Sequence, residues 1–232
     1  ALYDDYFRVG VGYGNLMSYG AFREDTGGSN KLFAAGCLAA GSASAQSLDT
    51  SLITEQVTHS WYADSTNDLH PSVGDTVPQH PKTEGYSWLK APRYDSINYE
   101  VGPLARMRVN GDYDGGVSVM DRHRARAREA HKIALAMQVW FDAVSVGDYG
   151  YSPSAVPVSG SGVGLTEAPR GALGHWVDVA SSEVARYQVL TPTCWNCSPR
   201  DTAGNRGPME EALVGTPVKK ADQPIEVLRV LH

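Results

Sequence analysis

The sequence predicts an α+β fold, mainly helical with a small antiparallel β portion. The clearest helix runs from about Val117 to Val144, where apolar residues recur at helical spacing. Two runs of alternating apolar and polar residues, 175–179 and 184–190, flank Ala180-Ser181-Ser182 and predict a β-hairpin. We divide the chain into a loop-rich region with short helices (1–116), a long organising helix (117–146), a β-hairpin region (162–191) and C-terminal helices (207–232).

The long helix carries one apolar stripe, which should pack against the rest of the protein. Its members are Ala130, Ile133, Ala134, Met137, Trp140, Phe141 and Val144. Two shorter helices are expected near the C-terminus, because Pro208 and Pro224 suit the first position of a helix.

The loop-rich region shows fewer regular patterns. Glycines in the first 20 residues predict turns and close packing rather than a regular element. Residues 31–40 fit a short strand, and residues 48–61 have the spacing of a helix capped by Asp49. Residues 64–85 contain three prolines and little periodicity, so we expect a long surface loop.

Composition excludes several classes of protein. The 232 residues are 42% hydrophobic and 20% charged, which allows a sizeable core. The net charge of −6 argues against binding to nucleic acid or to an anionic membrane. No stretch approaches the roughly 20 apolar residues of a membrane span, and the N-terminus lacks the pattern of a signal peptide. Three cysteines are too few for a disulfide scaffold.

Three segments carry chemistry that packing alone does not explain. In residues 166–176, a Pro169-Arg170-Gly171 turn would hold a guanidinium on a stiff support; the alternative is an arginine that ties down a neighbouring loop. Lys90 stands between aromatic residues and a proline, and its alternative is a surface lysine.

The third segment contains the Cys-x-x-Cys pair, Cys194 and Cys197. A zinc site here would need histidines from elsewhere, and the histidines show no metal-binding spacing. A redox dithiol normally opens a helix, whereas Ser198-Pro199 follows here. Two half-buried structural cysteines are the alternative.

Several motifs, in this order and spacing, resemble the large subunit of nickel–iron hydrogenases, most closely the periplasmic uptake enzymes of sulfate-reducing bacteria. The resemblance covers nearly the whole chain. The motifs are Gly12-Tyr13-Gly14-Asn15-Leu16, Ile53-Thr54-Glu55-Gln56-Val57, Tyr86-Ser87-Trp88-Leu89-Lys90-Ala91-Pro92-Arg93-Tyr94, Glu100-Val101-Gly102-Pro103-Leu104-Ala105, Glu167-Ala168-Pro169-Arg170-Gly171-Ala172-Leu173, Pro192-Thr193 with Trp195-Asn196, Pro199-Arg200-Asp201 and Gly207-Pro208-Met209-Glu210-Glu211-Ala212-Leu213.

The resemblance implies a partial hydrogenase large-subunit fold and reversible oxidation of H2 to protons and electrons. It implies a nickel–iron centre with cyanide and carbon monoxide on iron, a magnesium ion, and iron–sulfur clusters in a small subunit. The family's four metal-binding cysteines lie in two motifs that this chain lacks. The expected partners are the small subunit and the remainder of the large subunit, with a c-type cytochrome as a further candidate. The expected location is the periplasm, with membrane association through partners.

The resemblance also assigns residues around the metals. Arg170 matches the arginine over the open face of the centre, which has a catalytic role and donates to a cyanide. Thr193, with Pro192 beside it, matches the donor to the second cyanide, and Pro169 shapes the pocket. Val189 matches the residue whose backbone carbonyl binds magnesium, supported by Lys90 and Gln188.

Two other functions remain open at the level of sequence. The chain could be a non-catalytic scaffold or electron-transfer interaction protein that has lost the ligands, or a Cys194/Cys197 redox module. Because Cys194 follows Thr193, we also hypothesise that it modulates oxygen sensitivity, which reactivation of a Cys194→Thr variant after exposure to air would test.

Overall fold

The computed structural model describes residues 4–25, 30–147, 150, 154–155 and 157–231. The described residues form five α-helices and eight strands. The helices are α1 (Pro103–Val109), α2 (Val119–Asp142), α3 (Pro192–Asn196), α4 (Pro208–Leu213) and α5 (Ile225–Leu231). The strands are β1 (Leu16–Arg23), β2 (Lys31–Leu38), β3 (Ile53–Gln56), β4 (Ala91–Tyr94), β5 (Glu100–Val101), β6 (Gly160–Ala168), β7 (Gly171–Ala180) and β8 (Glu183–Leu190).

Helices and strands are both present, as the α+β class requires, but the expected helical majority is not seen. Among the described residues the strands contain about as many residues as the α-helices. The strands form three small sheets, ordered β2-β1-β5, β3-β4 and β6-β7-β8. All neighbouring strands are antiparallel except β1 and β5, which are parallel.

The first sheet corrects the expectation that the N-terminal 20 residues lack a regular element. Strand β1 begins at Leu16 and pairs with β2, which confirms the strand expected in residues 31–40. Leu16 and Met17 are fully buried and Tyr19 nearly so. Burial of these large side chains outweighs the weak strand preference of the glycine-rich segment.

The helix expected in residues 48–61 is wrong. Asp49 does cap a helical turn, but that turn is a short 3₁₀ segment, Thr50–Leu52, in which the Asp49 carboxylate accepts from the Ser51 N–H at 3.0 Å. The chain then continues as β3, paired with β4. Ile53, Glu55 and Val57 are buried, so burial alternates with the period of a strand.

The long helix is confirmed as α2, and a capping box between Ser118 and Asp121 begins it. Its buried face differs from the expected stripe, since it contains Val119, Asp121, Ala125 and Glu129. Within the stripe, Ile133 and Trp140 are half-buried, whereas Met137, Phe141 and Val144 are exposed. No helix in the described part of the chain is both long and apolar enough to cross a membrane.

The expected hairpin is confirmed as β7 and β8, and β6 extends it to three strands. Ser181 and Ser182 join β7 to β8 with positive φ angles of 54° and 62°. Pro169 and Arg170 alone join β6 to β7. Both C-terminal helices are present as α4 and α5, and Val119, Ala212 and Val230 form a small core beneath them.

One buried ion pair ties the β3–β4 sheet to the segment after α3. The Arg93 guanidinium donates to the Asp201 carboxylate at 3.0 Å, and both side chains are almost fully buried. Asp201 also accepts from the Asn205 N–H at 2.8 Å. Burial alone raises the pKa of Asp201, but hydrogen bonds from Arg93 and Asn205 outweigh it and hold the pKa below its ordinary value.

We expect Asp201→Ala to lower the free energy of unfolding by about 3–5 kcal/mol, because it leaves a buried guanidinium unpaired. Asp178→Ala is the matched control: the Asp178–Arg186 pair is about one-third exposed and screened by solvent, so its loss should lower the free energy of unfolding much less. Denaturant titration measures both changes. Because the folded pKa of Asp201 is depressed, its contribution is present at neutral pH and is lost as the pH falls through that pKa. Equal losses of unfolding free energy in Asp201→Ala and Asp178→Ala would contradict this account.

Candidate functional site

A cavity of about 980 Å³ lies where the β6–β7 turn meets α1, α2 and the three C-terminal helices. Its wall contains Pro169, Arg170 and Thr193, so three of the residues expected around the metals lie together. Pro192 is buried beside Thr193, in the first turn of α3. Carboxylates, guanidinium groups and apolar side chains all contribute to the remaining wall.

Arg170 is exposed at the tip of the two-residue turn between β6 and β7. Among the described residues its side chain has no hydrogen-bond or ion-pair partner. The alternative of an arginine that ties down a neighbouring loop is therefore not observed. The guanidinium keeps all five donors for a molecule in the cavity.

Thr193 is held in place by the short helix α3. The Thr191 side chain caps this helix, and Pro192 occupies a first-turn position. At its other end, the Asn196 side chain accepts from the Val101 N–H and donates to the Val101 carbonyl, both at 2.9 Å. This two-point bond fixes α3 to β5. The Thr193 hydroxyl has no partner among the described residues, so it is available to the cavity.

The two cysteines of the Cys-x-x-Cys pair face different surroundings. Cys197 lines the cavity, with its sulfur 3.6 Å from that of Met209. Cys194 does not line it; its sulfur lies 3.3 Å from the Thr191 hydroxyl, and it packs against the main core. Burial raises the pKa of both thiols. Both are free and protonated near neutral pH, which disfavours a reactive dithiol.

A second polar cluster surrounds Lys90, which is buried rather than the surface lysine of the alternative interpretation. Its ammonium lies 3.4 Å from the Glu55 carboxylate, 3.0 Å from the Asp75 carbonyl and 3.5 Å from the Gln188 amide oxygen. Burial raises the pKa of Glu55, and the nearby Lys90 charge opposes that rise. The structure thus brings Lys90 and Gln188 together, as expected, and adds Glu55.

Val189 follows Gln188 on β8, an edge strand of its sheet, opposite His175 on β7. Edge strands carry carbonyl groups that no neighbouring strand binds. The role of the Val189 carbonyl as a magnesium ligand stays a prediction.

The donor set of the cavity suits anions better than metal ions. Nowhere in the described ranges do three or more His, Cys, Asp or Glu side chains gather as a metal site. The guanidinium of Arg170 and the hydroxyl of Thr193 are hydrogen-bond donors with no partner in the described part of the chain, and such groups fit small anionic ligands. The residues present therefore fit the surroundings of a group that carries small anionic ligands.

Three charged residues of the cavity wall that are linked by ion pairs were given no role from the sequence: Arg106, Glu129 and Glu167. Arg106 is buried in α1 and contacts both carboxylates. Glu167 stands in one of the motifs on which the resemblance rests. Glu55, which belongs to the Lys90 cluster and not to this wall, stands in another. Glu129 had one usable signal, because it lies four and eight residues after Ala125 and Asp121, on the same face of α2.

Comparison with known proteins gives concordant results. The model of the nickel-dependent hydrogenase family matches residues 1–115 and 109–232. The periplasmic [NiFeSe] hydrogenase large subunit of Desulfomicrobium baculatum is 36% identical over 257 residues, covering 100% of this chain and 50% of that protein. The uptake hydrogenase large subunit of Bradyrhizobium diazoefficiens is 36% identical over 228 residues, covering 78% and 38%.

Among solved structures, the reduced Ni-Fe-Se hydrogenase from D. vulgaris Hildenborough superposes with a TM-score of 0.93 at 38% identity. The match covers 99% of this chain and 53% of that one. The chain thus spans about half the length of the first of these curated relatives. Sequence and fold agree that the chain belongs to the nickel-dependent hydrogenase family and corresponds to part of the large subunit.

Proposed function

We propose that this chain forms part of a hydrogenase that oxidises H2 reversibly to protons and electrons, and that it supplies the hydrogen-bond donors around the nickel–iron centre. The observation that carries the proposal is the shared cavity of Arg170 and Thr193, two donors without partners among the described residues. A scaffold that had lost catalysis would have no need of such donors.

When bound, the nickel–iron centre with its cyanide and carbon monoxide ligands supplies the redox chemistry of H2 cleavage. Arg170 donates charge-assisted hydrogen bonds to one anionic ligand, and Thr193 donates a hydroxyl bond to the second. Pro169 and Pro192 stiffen the backbone that carries these donors. Preorganised donors of this kind stabilise charge without reorganising during the reaction.

The Lys90 cluster supports a magnesium ion in the same proposal. Val189 contributes its carbonyl, a hard oxygen ligand of the kind that magnesium prefers. Lys90 and Gln188 lie beside one another and orient the surrounding polar groups.

The relatives support a proposal for partners and location. The first relative named above is a periplasmic large subunit, and we propose the periplasm for this chain too. We propose that a small subunit with iron–sulfur clusters is the partner that takes the electrons. A c-type cytochrome is proposed as a further partner, and membrane association is proposed to occur through partners. The exposed apolar residues in the second half of α2 support contact with the remainder of the large subunit.

Replacing Arg170 by Lys in the complete enzyme is expected to lower kcat about 100- to 1,000-fold, because an ammonium lacks the planar fork of donors. Nickel and iron content should not change, since Arg170 is not a metal ligand. The matched control is Arg23→Lys, an exposed arginine at the end of β1 and outside the cavity wall. H2-oxidation assays with metal analysis measure the outcome. A full rate in Arg170→Lys would show that Arg170 is not the donor, and an assembled enzyme without nickel would favour the non-catalytic alternative.

Thr193→Ala should shift one cyanide stretching band in the infrared spectrum, because it removes the hydroxyl donor. Thr193→Ser keeps the hydroxyl and should leave that band close to its original position. Identical bands in the wild type and Thr193→Ala would show that Thr193 does not donate to the ligand.

Phe141→Asp is expected to lower the free energy of unfolding of the complete large subunit by at least about 2 kcal/mol. Phe141 is 79% exposed in this structure, so such a loss requires that another segment covers it. Gln138→Asp on the same helix is the control for the added charge. Equal stability of the two variants in thermal unfolding would mean that Phe141 remains exposed in the assembled subunit.

A further inference from the structure

Arg106 is a buried arginine of α1 that binds the turn carrying Arg170. Its two terminal nitrogens donate to the backbone carbonyls of Ala168 and Pro169, each at 3.0 Å. These carbonyls belong to the last residue of β6 and the first residue of the turn. One guanidinium therefore fixes the backbone on the N-terminal side of Arg170.

Two carboxylates hold that guanidinium in turn. Glu167 accepts from Arg106 at 2.6 Å and also from the Tyr19 N–H at 2.7 Å. Glu129 of α2 accepts from Arg106 through both oxygens, one of them at 3.0 Å. Burial lowers the pKa of Arg106, but the two carboxylates outweigh this and raise it above its ordinary value. Arg106 is therefore a fixed cation that bridges α1, α2 and β6.

Backbone contact fixes the other side of the turn. Gly102 and Gly171 both have positive φ angles, 127° and 134°. A Cβ atom on Gly171 would lie 2.7 Å from the Gly102 nitrogen, and one on Gly102 would lie 3.0 Å from the Arg170 carbonyl oxygen. The turn thus rests directly on the backbone where β5 meets α1. This contact does not restrain the Pro169 side of the turn, which is the side that Arg106 binds.

We propose that Arg106 is a positioning residue that sets where the Arg170 guanidinium stands in the cavity. The inference rests on the proposed function, in which Arg170 is the donor to the metal-bound anion. A lysine cannot replace Arg106, because it lacks the fork that reaches two carboxylates and two carbonyls together. A displacement of about 1 Å in a catalytic group can cost a factor of about 100 in rate.

The test is a double-mutant cycle in the complete enzyme with Arg106→Lys and Arg170→Lys. Arg106→Lys alone should lower kcat at least about tenfold with nickel and iron retained, and should shift the cyanide infrared band that Arg170→Lys shifts. Because Arg106 acts through Arg170, the double variant should be no slower than Arg170→Lys alone, within about twofold. The proposal fails if the effects of the two substitutions on kcat multiply, or if Arg106→Lys leaves the cyanide infrared band in place.

Arg108→Lys is the matched control, since Arg108 lies on the same helix but donates to the Gly115 carbonyl, away from the turn. Any effect of Arg108→Lys on kcat should multiply with the effect of Arg170→Lys. If Arg106→Lys does not fold, Glu129→Gln replaces it: the amide keeps one acceptor for Arg106, so the same band shift and the same lack of multiplication are expected at smaller amplitude. An Arg170→Lys enzyme with full activity and unshifted bands would instead refute the donor role of Arg170 in the proposed function, independently of Arg106.

Discussion

The guanidinium of Arg106 connects parts of the chain that are far apart in sequence. Removing an arginine and two glutamates from water is costly, and the arrangement is stable only because each donor finds an oxygen in good geometry. Arg106 meets this condition with carboxylates from α2 and β6 and with the carbonyls of the last residue of β6 and the first residue of the β6–β7 turn. The positions of α1, α2 and the turn are consequently coupled, and the cavity takes its shape from all three.

The junction of β5 and α1 is the second fixed part of this wall. Val101 binds the Asn196 side chain at both its N–H and its carbonyl, which holds α3 and therefore Thr193. The adjacent Gly102 touches the backbone of Arg170. The positions of both donors, Arg170 and Thr193, are thus fixed by contacts with the backbone of Val101 and Gly102. Short elements with little stability of their own can present side chains at defined positions when they are anchored in this way.

Local patterns in the sequence predicted part of this structure. The periodicity of α2, the hairpin and the Pro-Arg turn are short-range features, and motif resemblance placed Arg170 and Thr193 in one pocket. The strand at Ile53 was missed because its β-branched residues also fit helical spacing, and tertiary pairing with β4 decided the outcome. Periodicity identified the apolar stripe of α2 but not its exposure. The Arg106 network was not visible, because its members are brought together only by the fold.

The β6–β7 connection consists of two residues, bound by a guanidinium on one side and pressed against glycine backbone on the other. Such a loop has no slack, so an inserted or deleted residue could not be absorbed locally and would slip the register of the hairpin. At the opposite end of β7, Ser181 and Ser182 form an exposed turn, where the Ser182 N–H donates to the Val158 carbonyl at 2.9 Å and no buried side chain among the described residues binds the turn. Insertions and deletions within this sheet should therefore be tolerated at the β7–β8 turn, which contains the serines. The β6–β7 turn, which contains Arg170, should keep its length.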